Sequence, residues 1–238
     1  MIDLSDIAYC GPAPVPGDIW SAWNSDPALI GALCGAAVVA WMRGGAQRNR
    51  MLAAIAVLVV AFVSPFCAMT SALFSARAAH HLVVIAVAAP LIASAMADRW
   101  RVGLASTFIA ATVTLWAWHV PAFYTAALGQ TWLYWLMQLT LLGTATLFWR
   151  ALFTAPATSA LIAIAATIGQ MGLLGALLTF APEALYLHHM VAPVAWGLTP
   201  IADQQLAGLI MWVPGNLPYA ILGWLIARRM WRAQEAAA

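Results

Sequence analysis

Five histidines and three cysteines carry the metal chemistry available to this chain. Imidazole suits copper, zinc and iron, while thiolate and thioether sulfur favour Cu(I). His80 and His81 open one apolar run, and His119 closes the next. His188 and His189 lie in a long segment between two later runs, and Cys67 and Met69 end an earlier one. If successive runs cross a bilayer, all of these residues fall at one face. The chemistry this suggests is an open, exchangeable copper site, with His81, His119, His80, Cys67 and Met69 as candidate ligands.

Each candidate also has a plainer reading. His188 and His189 in a wet loop read first as a solvated pair. Cys67 and Met69 are ordinary apolar residues by type. Adjacent helical residues point about 100° apart, so one metal does not take both His80 and His81. Arg77 lies one turn before His81 on the same helix face. It reads as an interfacial, snorkelling residue, as a partner for Glu183 or Asp203, or as a contact for a partner protein. Asp203 and Gln204 stand at the mouth of the last apolar helix and are candidates to line the cavity. Asp203 is equally suited to cap that helix. Gln138 and Gln170 fall inside apolar runs, where interhelical hydrogen bonds are the usual role; Gln138 is the one placed to line the site. Trp118, Tyr124, Trp132, Tyr134, Tyr186 and Trp196 match an aromatic belt at a membrane surface.

The elements that must position these residues are membrane helices. Of 238 residues, 64% are hydrophobic and only 8% are charged. Soluble domains carry about 25% charge, so so few charges cannot clothe a water-facing surface. The chain reads as an all-α polytopic bundle of seven spans. They run roughly over 27–42, 51–67, 78–97, 102–119, 131–149, 158–180 and 203–227, each near the ~20 residues a bilayer requires. Residues 1–26, acidic and rich in proline and glycine, read as an exposed tail touching the bundle through Trp20 and Trp23; residues 27–238 form the transmembrane domain. VPAFYTAALGQ reads as an uncharged loop, and Asp98, Arg99 and Arg101 as a tight charged turn. Pro65 and Pro90 should kink their spans, and Pro214, Gly215 and Pro218 interrupt the last one.

Nine arginines (Arg43, Arg48, Arg50, Arg99, Arg101, Arg150, Arg228, Arg229, Arg232) fall on one side of this arrangement and Arg77 alone on the other. The positive-inside rule makes the first side cytoplasmic, with the amino terminus outside and the carboxyl terminus inside. Asp3, Asp6, Asp18 and Asp26 precede the first run, so no signal peptide is expected. The net charge of +2 gives no argument for nucleic acid. Cys10, Cys34 and Cys67 are an odd number without a CxxC, and define neither a disulfide framework nor a zinc site. The sequence holds no HExxH, GxSxG or P-loop motif, and an enzyme is not expected.

FSARAAHHLVVIAVAAPLI, LLGALLTFAPEALY, WHVPAFYTAAL and LTPIADQQLAGLIMWVP together resemble the multi-spanning CtaG family of bacterial cytochrome c oxidase assembly factors, from about Leu73 to the carboxyl terminus. The resemblance implies an inner-membrane protein that helps form active haem–copper oxidase, with copper delivery as its usual proposed role. Its implied partners are oxidase subunits, periplasmic copper chaperones and the lipid bilayer. His81 matches the family histidine that opens the third span, His119 and Pro121 the WHxPxxY segment, and Asp203, Gln204 and Trp212 the last-helix motif. Many relatives have histidine where this chain has Arg77 and Gln138. The site is then either built differently, with His80, His188 or His189 compensating, or metal is bound weakly or not at all. The rival readings are a copper permease, for which Gln138, Gln170 and Asn216 are a thin polar line, and a haem-binding membrane protein with His81 and His119 as axial ligands.

Overall fold

The computed structural model of the chain describes residues 9–97 and 102–236. Among them every regular element is helical: α1 (Pro27–Arg43), α2 (Gly45–Phe62), α3 (Pro65–Ala72), α4 (Phe74–Leu82), α5 (Ala89–Ala95), α6 (Leu104–His119), α7 (Pro121–Gly129), α8 (Thr131–Thr154), α9 (Ala157–Thr179), α10 (Pro200–Trp212) and α11 (Leu217–Glu235). Among the described residues five stretches are long and apolar enough to cross a bilayer: Gly45–Phe62, Phe74–Ala95, Thr131–Thr154, Ala157–Thr179 and Pro200–Glu235. Helices α1 and α6 are shorter, at 17 and 16 residues. Val39, Val113, Leu139, Ile162 and Leu173 point outward and stay exposed, while Arg77, His80, Gln138 and Asp203 are buried. Apolar outside with polar inside is the arrangement a hydrocarbon solvent selects, so this is a membrane protein.

The prolines divide the helices as their chemistry requires. Ser64 caps α3 through its hydroxyl and Pro65 takes the first helical position, so the expected kink is a break between two helices. Between α4 and α5 the chain winds as a π-helix over Val83–Ala88. In that winding the Ile85 carbonyl would accept from residue 90, but Pro90 has no N–H. The Trp149 indole supplies the missing donor at 2.8 Å. At the break between α10 and α11, the Asn216 amide donates to the Trp212 carbonyl at 2.8 Å, because the Asn216 N–H is turned to Val213.

Helix α10 lies directly against α9 and α4. A Cβ on Gly208 would stand 2.5 Å from the Gly175 carbonyl oxygen, and one on Gly215 would meet the Leu82 side chain at 2.9 Å. The backbone contact at Gly208 admits only glycine, whereas at Gly215 the Leu82 side chain would have to move. At one end of the bundle Arg50 donates to the Ser94 carbonyl and Arg150 to that of Ala97, satisfying carbonyls where α5 ends. The histidines gather at the other end.

Several expectations need correction. VPAFYTAALGQ is mostly helix α7, opened by Pro121 and closed near Gly129. Arg48 and Arg50, expected between the spans 27–42 and 51–67, ride on the first turns of α2. Helical structure before the third span extends back through α4 to Phe74. The long segment before α10 contains two 3-10 turns, Leu187–His189 and Ala192–Trp196. The tail is not attached through Trp20 and Trp23, which are 80% and 57% exposed. It is held by a Cys10–Cys67 disulfide across 57 residues, by Asn24 donating to the Phe62 carbonyl, and by Trp196 donating to that of Pro14. No pairing could be read from cysteine spacing, because the tail's return path sets it. The Asp98–Arg101 turn, Asp3 and Asp6 lie outside the described residues.

Candidate functional site

Helix α4 carries Arg77, His80 and His81, yet its N-cap is Leu73, whose side chain makes no cap. The orphan N–H groups of its first turn need an acceptor. Asp203 supplies it from 129 residues away, taking the Phe74 N–H at 2.6 Å and the Ser75 N–H at 3.1 Å, together with the Ser75 hydroxyl. The carboxylate is fully buried. Asp203 was expected to cap its own helix or to line the cavity; it instead anchors α4. Gln204 is likewise spent on backbone, accepting from the Leu185 N–H and donating to the Leu178 and Glu183 carbonyls.

His80 and His81 point to different faces, as their adjacency requires. His80 sits edge-on to Phe62 at 4.8 Å and beside Phe66 at 5.6 Å, with neither ring nitrogen partnered. His81 turns toward α8 and α6. Its Nε2 lies 3.4 Å from the Gln138 amide nitrogen, its Nδ1 has no protein partner, and its ring centroid is 6.3 Å from that of His119. The His119 Nδ1 donates to the Leu115 carbonyl at 2.7 Å, which leaves the Nε2 lone pair free to ligate. An apolar groove of about 390 Å³, bounded by Leu29, Leu33, Leu58, Phe62 and Trp135, reaches Gln138 from outside.

Above this pair lies an aromatic wall. The Tyr124 hydroxyl meets the His189 Nε2 at 2.7 Å, and the His189 Nδ1 faces the Ala72 carbonyl at 3.4 Å. Tyr186 stacks on Phe74 at 3.9 Å between centroids and donates to the His119 carbonyl at 2.8 Å. Burial, with smaller effects of His188 and Arg77, holds His189 well below the usual imidazole range. Burial, then the Arg77 charge, pushes His188 down to about 4. Both rings are therefore neutral at neutral pH, with the His189 Nδ1–H donating and its Nε2 accepting.

Tyr124 and Tyr186 are buried in this wall, and Tyr134 is buried against Tyr9 and Trp135, so none of the three belongs to a belt; Trp132 remains exposed. Tyr124 is the tyrosine of the WHxPxxY segment, a signal that was present in the sequence. Of the other candidates, Cys67 is consumed by the disulfide, and Met69 packs with Leu73, Ala76 and Trp196. Glu183 is exposed. Gln170 makes the expected interhelical bond, accepting from the Trp116 indole at 2.8 Å. Among the described residues, no group of three or more His, Cys, Asp or Glu side chains could hold a metal.

Arg77 is the largest departure from expectation. It is 1% exposed and lies inside the bundle, not at an interface. Its guanidinium carbon stands 5.4 Å from the centroid of the Tyr134 ring.

An apolar-surfaced helical bundle with polar and imidazole groups enclosed at one end defines a polytopic membrane protein with a buried site. The cytochrome c oxidase caa3 assembly factor family (Caa3_CtaG) matches residues 99–233, more than half of the chain, and the protein belongs to that family. The match includes His119, Tyr124 and Asp203 and begins after His81, later than the resemblance starting at Leu73. No curated protein and no solved structure matches the chain.

Proposed function

We propose that this assembly factor carries one Cu(I) between His81 and His119 on its way to the oxidase copper centre. The observation that carries this reading is the imidazole pair at 6.3 Å between centroids. Two imidazole nitrogens each about 2 Å from one metal give roughly that separation when the N–metal–N line is nearly straight. A site of two neutral imidazoles suits a soft monovalent ion better than Zn(II) or Cu(II), which take more ligands. Few ligands also suit a cargo that must leave. Gln138, at a position where many relatives have histidine, holds the place of a third donor.

The proposed topology has seven spans, with α1 and α6 as the two short ones. The histidine end faces the periplasm and the arginine end the cytoplasm of a bacterial inner membrane. The motive is the arginine split. A carboxyl-terminal reporter should then be active only in the cytoplasm; activity only in the periplasm would overturn both topology and site. The cargo reading is tested on protein purified under ascorbate, by metal analysis and an optical spectrum. About one copper per chain and no Soret band are expected. A Soret band would favour a haem between the same two histidines, and neither copper nor haem would sink the reading.

A further inference from the structure

We infer that the groove between α1, α2 and α8 is the docking site for one transmembrane helix of the oxidase under assembly, a helix that brings a hydroxyl or carboxamide side chain to Gln138. This rests on the oxidase-assembly role and does not need copper as the cargo.

The groove holds about 390 Å³, between Leu33 and Leu58 on one side and Trp135 and Leu142 on the other. The rim that α1 contributes is made of small residues. Ala28 and Ala32 line the groove, and Gly31 and Gly35 share their side of the helix, all four within about 100° of arc. All four are exposed. A Cβ on Gly31 or Gly35 would meet nothing within 4 Å among the described residues. Gly175 and Gly208 differ, because α9 and α10 close down on each other there. Packing within the described chain therefore gives no reason for glycine at 31 and 35, where it costs a helix about 1 kcal/mol relative to alanine. Small residues along a membrane helix let a second helix approach closely.

The floor of the groove selects the kind of helix. Gln138 lines it, is 2% exposed and has no donor for its Oε1. Its amide nitrogen faces the His81 Nε2 at 3.4 Å. A buried acceptor left unmade costs about 1–3 kcal/mol. Lipid tails have no donor to give. A second copy of this chain, pairing through the same stripe, would present α1. From Pro27 to Ala40 that helix has no hydroxyl or carboxamide, and Cys34 is only a weak donor. Ser, Thr, Asn or Gln on a helix of another protein satisfies the Gln138 amide whichever way it is turned, since these groups both donate and accept. The docked helix would then lie one side chain away from His81.

The test replaces Ala32 or Leu139 singly with the photo-crosslinking residue p-benzoylphenylalanine, in membranes of cells assembling the oxidase. Adducts are identified by mass spectrometry. Both positions should give adducts to one transmembrane segment of an oxidase subunit, a segment containing a hydroxyl or carboxamide side chain. The same replacement at Ile162, exposed on α9, should give none. Gly35→Leu should cut the adduct yield at least about fivefold, as expected for loss of one close helix contact. Gly35→Ala should keep most of it, and both variants should keep the melting temperature and metal content of the wild type. Adducts only to lipid, only to this chain itself, or to a segment without such a side chain would overturn the proposal. So would an adduct yield that ignores Gly35→Leu. Oxidase adducts from protein that holds no copper would sink the copper reading and leave the docking site standing; copper-loaded protein without such adducts would do the reverse.

Discussion

Replacing His81 or His119 by alanine is expected to lower copper affinity by at least about a hundredfold, beyond the range seen when only supporting groups are lost. Active oxidase should fall close to the level of a deletion strain, while oxidase polypeptide and the variant itself remain in the membrane. In the proposed site each substitution removes one of two ligands, so neither would be compensated locally. His80→Ala is the internal control. Its ring packs against Phe62 and Phe66 on another face, so its loss should lower stability by about 1–3 kcal/mol and leave copper bound. Gln138→His should do the opposite, adding a third imidazole beside the His81 Nε2 and tightening copper retention. Copper content and oxidase activity, measured on the same membranes, separate these outcomes. If His80→Ala loses copper and His81→Ala keeps it, the site lies on the other face of α4.

Much of this was legible in the sequence for a simple reason. Apolar runs and in-helix prolines are local signals; they locate most of the long helices, though with ends displaced by up to about eight residues. The opposite facing of His80 and His81 follows from helical geometry alone. The nearness of His81 and His119 came from assigning both to one end of the bundle. What failed was whatever depends on chain return. The Cys10–Cys67 bond joins a tail to a helix, and nothing in cysteine spacing reports it. Arg77 resembled a snorkelling residue because a single arginine beside an apolar run carries no mark of which way it faces. Tyr124, Tyr134 and Tyr186 have the composition of a belt, and only tertiary packing turns them inward. α7 was missed because nine residues between Pro121 and Gly129 are too short for a span and too uncharged to look amphipathic.

Asp203→Asn is expected to lower Tm by about 5–10 °C, the equivalent of roughly 2–4 kcal/mol for a chain of this size. The carboxylate presents an acceptor oxygen to each of two backbone N–H groups and to the Ser75 hydroxyl. An amide has one acceptor oxygen and turns a donor toward the other N–H. A buried N–H left without an acceptor costs about 1–3 kcal/mol. Loss of negative charge at a helix N-terminus adds up to about 2 kcal/mol in a buried setting. The helix that loosens is the one carrying Arg77, His80 and His81, so oxidase assembly should fall with stability. Gln205→Ala, at an exposed neighbouring position, should change neither. The measurement also separates two roles for the carboxylate. Had Asp203 served to orient a ligand imidazole, the asparagine variant would bind copper more weakly while melting at the wild-type temperature. A variant that melts within a degree of wild type would show that α4 does not depend on this cap.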